Sequence, residues 1–256
     1  MTAGGAVGAW AGKARRFVME QRCVPWSVRR AFGRRFGARR LDPRITQFDF
    51  LMLRGLQVAL EQVIRRDLRE PFGVLLDIGT QTAPYRRLFG DAAKRYVALD
   101  IAPAPGVSVA GTGERLPLRD ESVDVALCTQ VLEHVEDPRA CVEEVRRVLR
   151  KDGVCLLSTH GVWNRHDVPA DNWRFTRNSF FLLFRGFSEV EVVNIGGSAL
   201  CLFQILNLYA RRARRLPLAR PLLPAIYTAN NLLGWWLGRR DGDDFLTIDY
   251  LVVARK

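Results

Sequence analysis

From residue 73 to its end, the chain alternates short apolar runs with segments of helical periodicity. Strands that are buried on both faces appear in a sequence as nearly continuous apolar runs, and helices between them favour parallel pairing. The alternation therefore predicts an α/β fold, in which helices cover both faces of a largely parallel sheet. The predicted strands are residues 73–79, 95–100, 107–110, 123–129, 154–159, 189–195 and 247–254.

The part of the chain before these strands is basic. Residues 1–70 contain fifteen Arg or Lys and six acids, so +9 of the net charge of +12 lies there. Apolar residues recur at helical spacing between positions 46 and 70, which predicts an amphipathic helix with Thr46 as its N-cap. We predict a basic helical extension over residues 1–70 and one α/β domain over 71–256. Within that domain, residues 198–243 are predicted to form a helical insertion before the last strand.

Positive charge of this kind would attract phosphate in nucleic acid, anionic lipid or a phosphorylated intermediate. Arg outnumbers Lys 35 to 4 over the whole chain, however. This uniform bias is typical of genome composition, so the charge by itself says little about partners.

Cysteine and histidine usage predicts neither disulfides nor a metal. The five cysteines form no CxxC pair, and the three histidines are not placed with them at the spacing of zinc ligands. No leader pattern and no apolar stretch of about 20 residues is found. We expect reduced thiols and a cytoplasmic location.

Two strand ends carry groups suited to a nucleoside ligand. Ligands of doubly wound sheets bind beyond the carboxyl ends of the strands. Gly79, which follows Asp77, permits a tight turn and a close approach to the backbone. Asp100 ends the next predicted strand, about twenty residues further on, where a carboxylate can accept hydrogen bonds from ribose hydroxyls.

The sequence GTGERLPLRDESVDVALCTQVLEHVEDP, residues 111–138, resembles the methyltransferase type 11 family of class I S-adenosylmethionine-dependent methyltransferases. The matching features include Leu116-Pro117-Leu118, Val123-Asp124 and Leu132-Glu133-His134. A second block, residues 166–176 (HDVPADNWRFT), is similar to the H-x-x-P-x-D-x-W-R-F-T block of one branch of that family. The resemblance covers about residues 72–197, and the final predicted strand extends it.

The resemblance implies a Rossmann-like seven-stranded sheet of order 3-2-1-4-5-7-6 with an antiparallel last strand, and S-adenosylmethionine as cofactor. It places the methionine end of the cofactor near Asp77 and Gly79, and the ribose near Asp100. Adenine would lie on Ile101. The remaining implied cofactor contacts are Gly113 and Glu114 at the adenine edge, and Thr129 and Gln130 near the sulfonium. Gln81, which stands where the family has a glycine, either contacts the cofactor carboxylate through its amide or reflects drift in a weakened site.

On the acceptor side, the resemblance points to the fifth strand and the block that follows it. His160 and His166 would face the acceptor, and His166 is the first choice for a general base. An alcohol acceptor would benefit from such a base, whereas an amine or a thiolate would not need one. Other predicted substrate contacts are Asp171, Trp173 and Arg174. We expect His134 to orient the loop after the fourth strand.

Departures from the family pattern keep alternatives open. Gln81 and Ala83 replace glycines of the usual G-x-G-x-G loop, and Thr112 replaces an acid. The main hypothesis is a methyltransferase that acts on a small-molecule, glycan or lipid-linked acceptor. The alternatives are a non-catalytic scaffold with a degenerate cofactor site and an RNA methyltransferase. The basic, aromatic segment from residue 200 to 240 suits either peripheral contact with an anionic membrane at its inner face or a helical cap over the sheet.

Overall fold

A single mixed sheet organises the described part of the chain. The computed structural model describes residues 40–68, 70–166, 170–239 and 245–256. The strands are β1 (Phe72–Ile78), β2 (Ala93–Asp100), β3 (Val109–Ala110), β4 (Val123–Thr129), β5 (Leu149–His160), β6 (Glu189–Ile195) and β7 (Asp249–Arg255). The α-helices are α1 (Phe50–Asp67), α2 (Arg86–Phe89), α3 (Pro138–Val148), α4 (Arg177–Leu183), α5 (Ser198–Ala210) and α6 (Leu223–Gly238).

The strand order is β3-β2-β1-β4-β5-β7-β6. The pairs β3–β2, β2–β1, β1–β4 and β4–β5 are parallel, whereas β7 runs antiparallel between β5 and β6. The predicted fold class, strand order and antiparallel last strand are thus confirmed. Because β1, β2, β4 and β5 are parallel, the groups that follow them meet at one edge of the sheet.

Helices bury both faces of the sheet, as the apolar runs predicted. Leu75 belongs to a buried cluster with Leu56 and Leu60 of α1, while its neighbour Leu76 belongs to a cluster with Val142 and Val145 of α3. Successive side chains of a strand point to opposite faces, so each strand feeds both clusters. Helix α1 therefore shares the core of the sheet, although it lies within the predicted extension. Residues 1–39 of that extension lie outside the described residues.

Two predicted helix ends were wrong. Helix α1 begins at Phe50 after Asp49, and residues 43–49 form turns, so Thr46 is not its N-cap. The apolar pattern of residues 138–151, with Gly153 as the stop, predicts a helix that ends at Lys151. Helix α3 instead ends at Val148, because Leu149 pairs with Val123 and opens β5. The register between β4 and β5 then shifts between Val123 and Val125. Sheet pairing has overridden the helical pattern there.

The segment between β6 and β7 consists of α5, two 3-10 turns (Arg211–Arg215 and Arg220–Leu222) and α6, which we call the helical insertion. Three buried amide side chains of the insertion hydrogen-bond α5 to α6 and both helices to the residues before α1. Asn207 donates to Asn231 at 2.8 Å. Asn231 donates to the carbonyls of Ile45 and Gln47, at 2.6 and 2.9 Å. Gln204 donates to the Phe48 carbonyl at 2.6 Å.

Candidate functional site

The turn after β1 is built for close approach to the backbone. Gly79 has a φ of +71°, and a Cβ there would lie 2.3 Å from Cγ2 of Val131. Asp77, the second-last residue of β1, is fully buried and accepts a hydrogen bond from the Tyr96 hydroxyl. Burial raises the pKa of its carboxyl from the ordinary 3.8 to about 7, against the opposing effect of that hydrogen bond. Its other oxygen, Oδ1, has no hydrogen-bond partner among the described residues.

The end of β2 pairs a buried acid with an exposed apolar side chain. Asp100 is 5% exposed, and its Oδ1 accepts the Ala102 N–H at 3.1 Å. Burial raises the pKa of this carboxyl, and the N–H groups of Ala102 and Ile101 oppose the rise. Ile101 itself is 76% exposed. An acid beside an uncovered apolar side chain is the arrangement that a ribose and a purine ring require.

Other predicted cofactor residues have partners within the protein. Glu114 accepts the Asp137 N–H at 2.7 Å, next to the start of α3. Gly113 lies where a Cβ would come within 3.0 Å of Sγ of Cys141, so close packing explains its small size. Gln81 is exposed. These three contacts with a cofactor stay predictions.

Beyond β4 the chain makes a strained turn that holds a buried acid. Gln130 has a φ of +57°, in a region that non-glycine residues seldom adopt. Its amide nitrogen lies 3.0 Å from Oγ of Ser158 and 3.1 and 2.9 Å from the two carboxylate oxygens of Asp249. Burial raises the pKa of Asp249 well above its usual value, against the hydrogen bond from Gln130. Thr129, just before this turn, is buried.

His160, the last residue of β5, lies among buried acids. Its Nδ1 is 3.6 Å from Asp249 Oδ1, its Nε2 is 3.7 Å from Glu133 Oε1, and its ring stacks on that of Trp163 at 4.5 Å. Burial lowers the pKa of His160 well below its usual value, and the nearby His166 contributes. Burial also raises the pKa of Glu133, and the charge of His134 opposes this rise.

The described residues 164–166 and 170–174 after β5, which we call the lid, are hydrogen-bonded to one another and to the loop after β4. Asp171 accepts hydrogen bonds from Arg174 at 2.7 and 3.1 Å and from the His166 N–H at 3.0 Å. Trp173 is 42% exposed, and its indole N–H donates to the Val135 carbonyl at 3.0 Å. The fold thus brings the predicted acceptor-side residues together beyond the ends of β4 and β5; these are His160, His166, Asp171, Trp173 and Arg174.

Sequence reasoning gave no role to three residues that complete this region. Glu133 lies in the Leu132-Glu133-His134 motif but was used there only as part of a resemblance. Asp249 is a lone acid in an apolar strand pattern, a signal that marks a buried polar group. Tyr96 lies in β2, and only the pairing of β1 with β2 brings it to Asp77.

Residues 76–157 match the family model described as "Methyltransferase domain". They contain the last three residues of β1, all of β2, β3 and β4, and most of β5, and with them Asp77, Asp100 and Glu133. This part of the chain is therefore similar to a methyltransferase domain. The chain also resembles a protein of Mycobacterium leprae named as an uncharacterized methyltransferase, with 30% identity over 102 residues. A similarly named protein of Mycobacteroides abscessus is 35% identical over 104 residues. The matches cover 35% of this chain and 38% and 40% of those relatives, so the chain spans well under half of their length.

Solved structures share the fold of the methyltransferase domain at low identity. A putative sarcosine dimethylglycine methyltransferase from Galdieria sulphuraria has a TM-score of 0.51 and 14% identity, over 80% of this chain and 88% of that one. Phosphoethanolamine N-methyltransferase 2 of Haemonchus contortus, in complex with S-adenosyl-L-methionine, has a TM-score of 0.50 and 13% identity, over 77% and 52% of the two chains. Both likenesses concern the fold alone.

Proposed function

We propose that this protein transfers the methyl group of S-adenosylmethionine to a small-molecule, glycan or lipid-linked acceptor. The observation that carries the proposal is the pair of buried acids, Asp77 and Asp100, that follow adjacent parallel strands within the methyltransferase domain. One of them lies beside an exposed apolar side chain, Ile101. Together they provide acceptors for an ammonium and for ribose hydroxyls, and a surface for adenine.

The residues present fit such a cofactor. Asp77 Oδ1 is buried without a partner in the described residues, and an ammonium or an ordered water would satisfy it. Gly79 lets the backbone turn with a positive φ and pack against Val131 directly after Asp77. S-adenosylmethionine supplies a methyl group already activated on a sulfonium. The protein's remaining task is to align the acceptor and, for a hydroxyl, to remove its proton.

We propose His166 as the base for a hydroxyl acceptor. Its side chain is 22% exposed, and its Nδ1 faces the Asn164 carbonyl at 3.2 Å and Asp171 Oδ1 at 3.4 Å. An imidazole oriented in this way keeps its other nitrogen available. Arg174, which is joined to Asp171, would add positive charge for an anionic acceptor.

Calorimetry with S-adenosylmethionine and its demethylated product tests the cofactor assignment. We expect binding by the full chain, and a loss of at least about a hundredfold in affinity for Asp100→Ala, because a ribose loses its charged partner. Asp91→Asn, in an exposed turn, is the control and should bind as the wild type does. No binding at millimolar ligand would refute the assignment.

Turnover separates the enzyme from a scaffold. Incubation with labelled cofactor and fractionated cell extract should move label into lipid, glycan or a small molecule. Binding without any transfer would favour the non-catalytic alternative, and label in RNA would favour an RNA methyltransferase.

We also propose that the helical insertion contacts the inner face of an anionic membrane. Such contact would suit a lipid-linked acceptor. The insertion exposes large apolar side chains, among them Leu218 (91% exposed), Tyr209 (71%) and Trp235 (52%). The guanidinium of Arg239 lies 4.7 Å from the Trp235 ring centre, so cationic and aromatic groups share the surface. In the described residues we find no helix that meets the length and apolarity of a bilayer span.

A further inference from the structure

The three histidines of the chain come together at the carboxyl ends of β4 and β5, although they lie in separate parts of the sequence. His134 follows β4, His160 ends β5, and His166 lies in the lid. The ring centres of His134 and His160 are 4.9 and 5.5 Å from that of His166. Gathering all three at one point is more than the folding of an apolar core requires.

A buried carboxylate lies at the centre of this group, near enough to Arg40 for their charges to interact, and one of its oxygens lacks a hydrogen-bond partner in the described residues. Glu133 is fully buried, and its Oε2 accepts the Thr159 hydroxyl at 2.7 Å. Its Oε1 has no hydrogen-bond partner in the described residues. The nearest imidazole nitrogens, Nε2 of His160 at 3.7 Å and Nε2 of His134 at 4.0 Å, are too far for hydrogen bonds.

Two of the imidazoles are oriented as metal-binding imidazoles are. His134 Nδ1 lies 2.6 Å from the Ala170 carbonyl, and His166 Nδ1 lies 3.2 Å from the Asn164 carbonyl. His160 Nδ1, 3.6 Å from Asp249 Oδ1, makes no hydrogen bond within the described residues. When Nδ1 donates to an oxygen, Nε2 carries the free lone pair, and such outer partners commonly orient metal-bound histidines.

We propose that Glu133, His160 and His166 bind a divalent transition-metal cation of the zinc type, with His134 beside them. One ligand atom from each of the three lies within 4.8 Å of the others. Zinc bonds of about 2.0–2.2 Å place neighbouring ligands about 3.3 Å apart, so side-chain movements of about 1 Å would close the site. Two imidazoles and one carboxylate form a ligand set that such ions accept and that leaves a coordination position open.

The site has an entrance. Glu133 and His160 are buried, but the side chains of His134 and His166 are 24% and 22% exposed. The ion would therefore lie between the core and the acceptor side, with its open position available to an acceptor oxygen. That assignment to the acceptor rests on the proposed methyl transfer, whereas metal binding itself does not. With the ion bound, His166 would be a ligand and not a free base, and the ion would take over the activation of an acceptor hydroxyl. The proposed metal site differs from the expectation that spacing gave, which was no metal, because the fold brings together histidines that are far apart in the sequence.

The test uses the full chain, purified without a histidine tag and stripped with a chelator. Calorimetric titration with Zn²⁺ should show saturable binding of a single ion per chain with a micromolar or tighter Kd. Co²⁺ should give visible absorption bands of a low-symmetry site. Absence of saturable binding would overturn the proposal.

Variants locate the ion. Glu133→Gln and His166→Gln should each weaken binding by at least about tenfold, while Glu143→Gln, an exposed carboxylate on α3, should bind as the wild type does. His166→Gln keeps the test valid if the buried Glu133→Gln variant fails to fold, and binding that His166→Gln leaves unchanged would overturn the site. S-adenosylmethionine is titrated separately. A chain that binds it but not zinc refutes the metal alone, and the reverse result refutes the proposed function alone.

Discussion

Replacing Asp77 by Asn should make the ligand-free protein more stable at neutral and alkaline pH. The folded carboxyl has a pKa of about 7, against an ordinary 3.8. Between these values the folded chain holds a proton that the unfolded chain has released, so the free energy of unfolding falls as pH rises. The difference of about three units corresponds to about 4 kcal/mol when the folded carboxyl is fully ionised, and roughly 2.5 kcal/mol of it develops between about pH 5 and pH 8.

Asn keeps an oxygen to accept the Tyr96 hydroxyl but carries no charge, so this penalty disappears. Urea unfolding, followed by tryptophan fluorescence without cofactor over that pH range, measures the effect. The stability of Asp77→Asn relative to wild type should rise by roughly 2.5 kcal/mol from the acidic to the alkaline end. Asp91→Asn, the same change in an exposed turn, should give a curve parallel to the wild type. If the free energies of unfolding of wild type and Asp77→Asn differ by the same amount at every pH, burial does not disfavour the Asp77 charge.

Three further changes probe the core, the turn and the surface. Leu56→Ala removes a fully buried side chain of α1 and should cost about 2–5 kcal/mol in urea unfolding, and a loss below about 1 kcal/mol would contradict the packing. Gly79→Ala places a Cβ 2.3 Å from Val131 in a left-handed turn, so calorimetry should show at least about tenfold weaker S-adenosylmethionine binding, and unchanged affinity would contradict the close approach. Leu218→Ser combined with Trp235→Ser should reduce co-sedimentation with phosphatidylglycerol vesicles, and equal binding of variant and wild type would refute the membrane surface.

The sheet was predictable from the sequence because each strand is a short apolar run, and its order came from the resemblance carried by residues 111–138 and 166–176. The acids at strand ends, Asp77 and Asp100, were predictable for the same reason, since parallel strands deliver their carboxyl ends to one edge. The ends of the helices were not predictable in this way. Thr46 has the chemistry of an N-cap, but the residues after it remain in turns, and Leu149 is drawn from its helix into the sheet.

The acceptor side depends on contacts between distant positions, and local patterns do not contain them. Glu133 approaches His160 only because β4 and β5 pair in parallel, and Asp249 approaches both only because β7 inserts antiparallel beside β5. A lone acid in an apolar strand signals burial, but its partners emerge only from the pairing of strands.

The buried amides of the helical insertion bear on how short a working form of this protein can be. A chain that started at residue 50 would keep every strand and helix described above but would lack the carbonyls of Ile45, Gln47 and Phe48. The amides of Asn231 and Gln204 would then exchange these acceptors for water, at about 0.5–1.5 kcal/mol for each hydrogen bond lost. Trimming the front of the chain would thus loosen helices more than 150 residues away in sequence, so a fragment that keeps the helical insertion in place has to begin before Ile45.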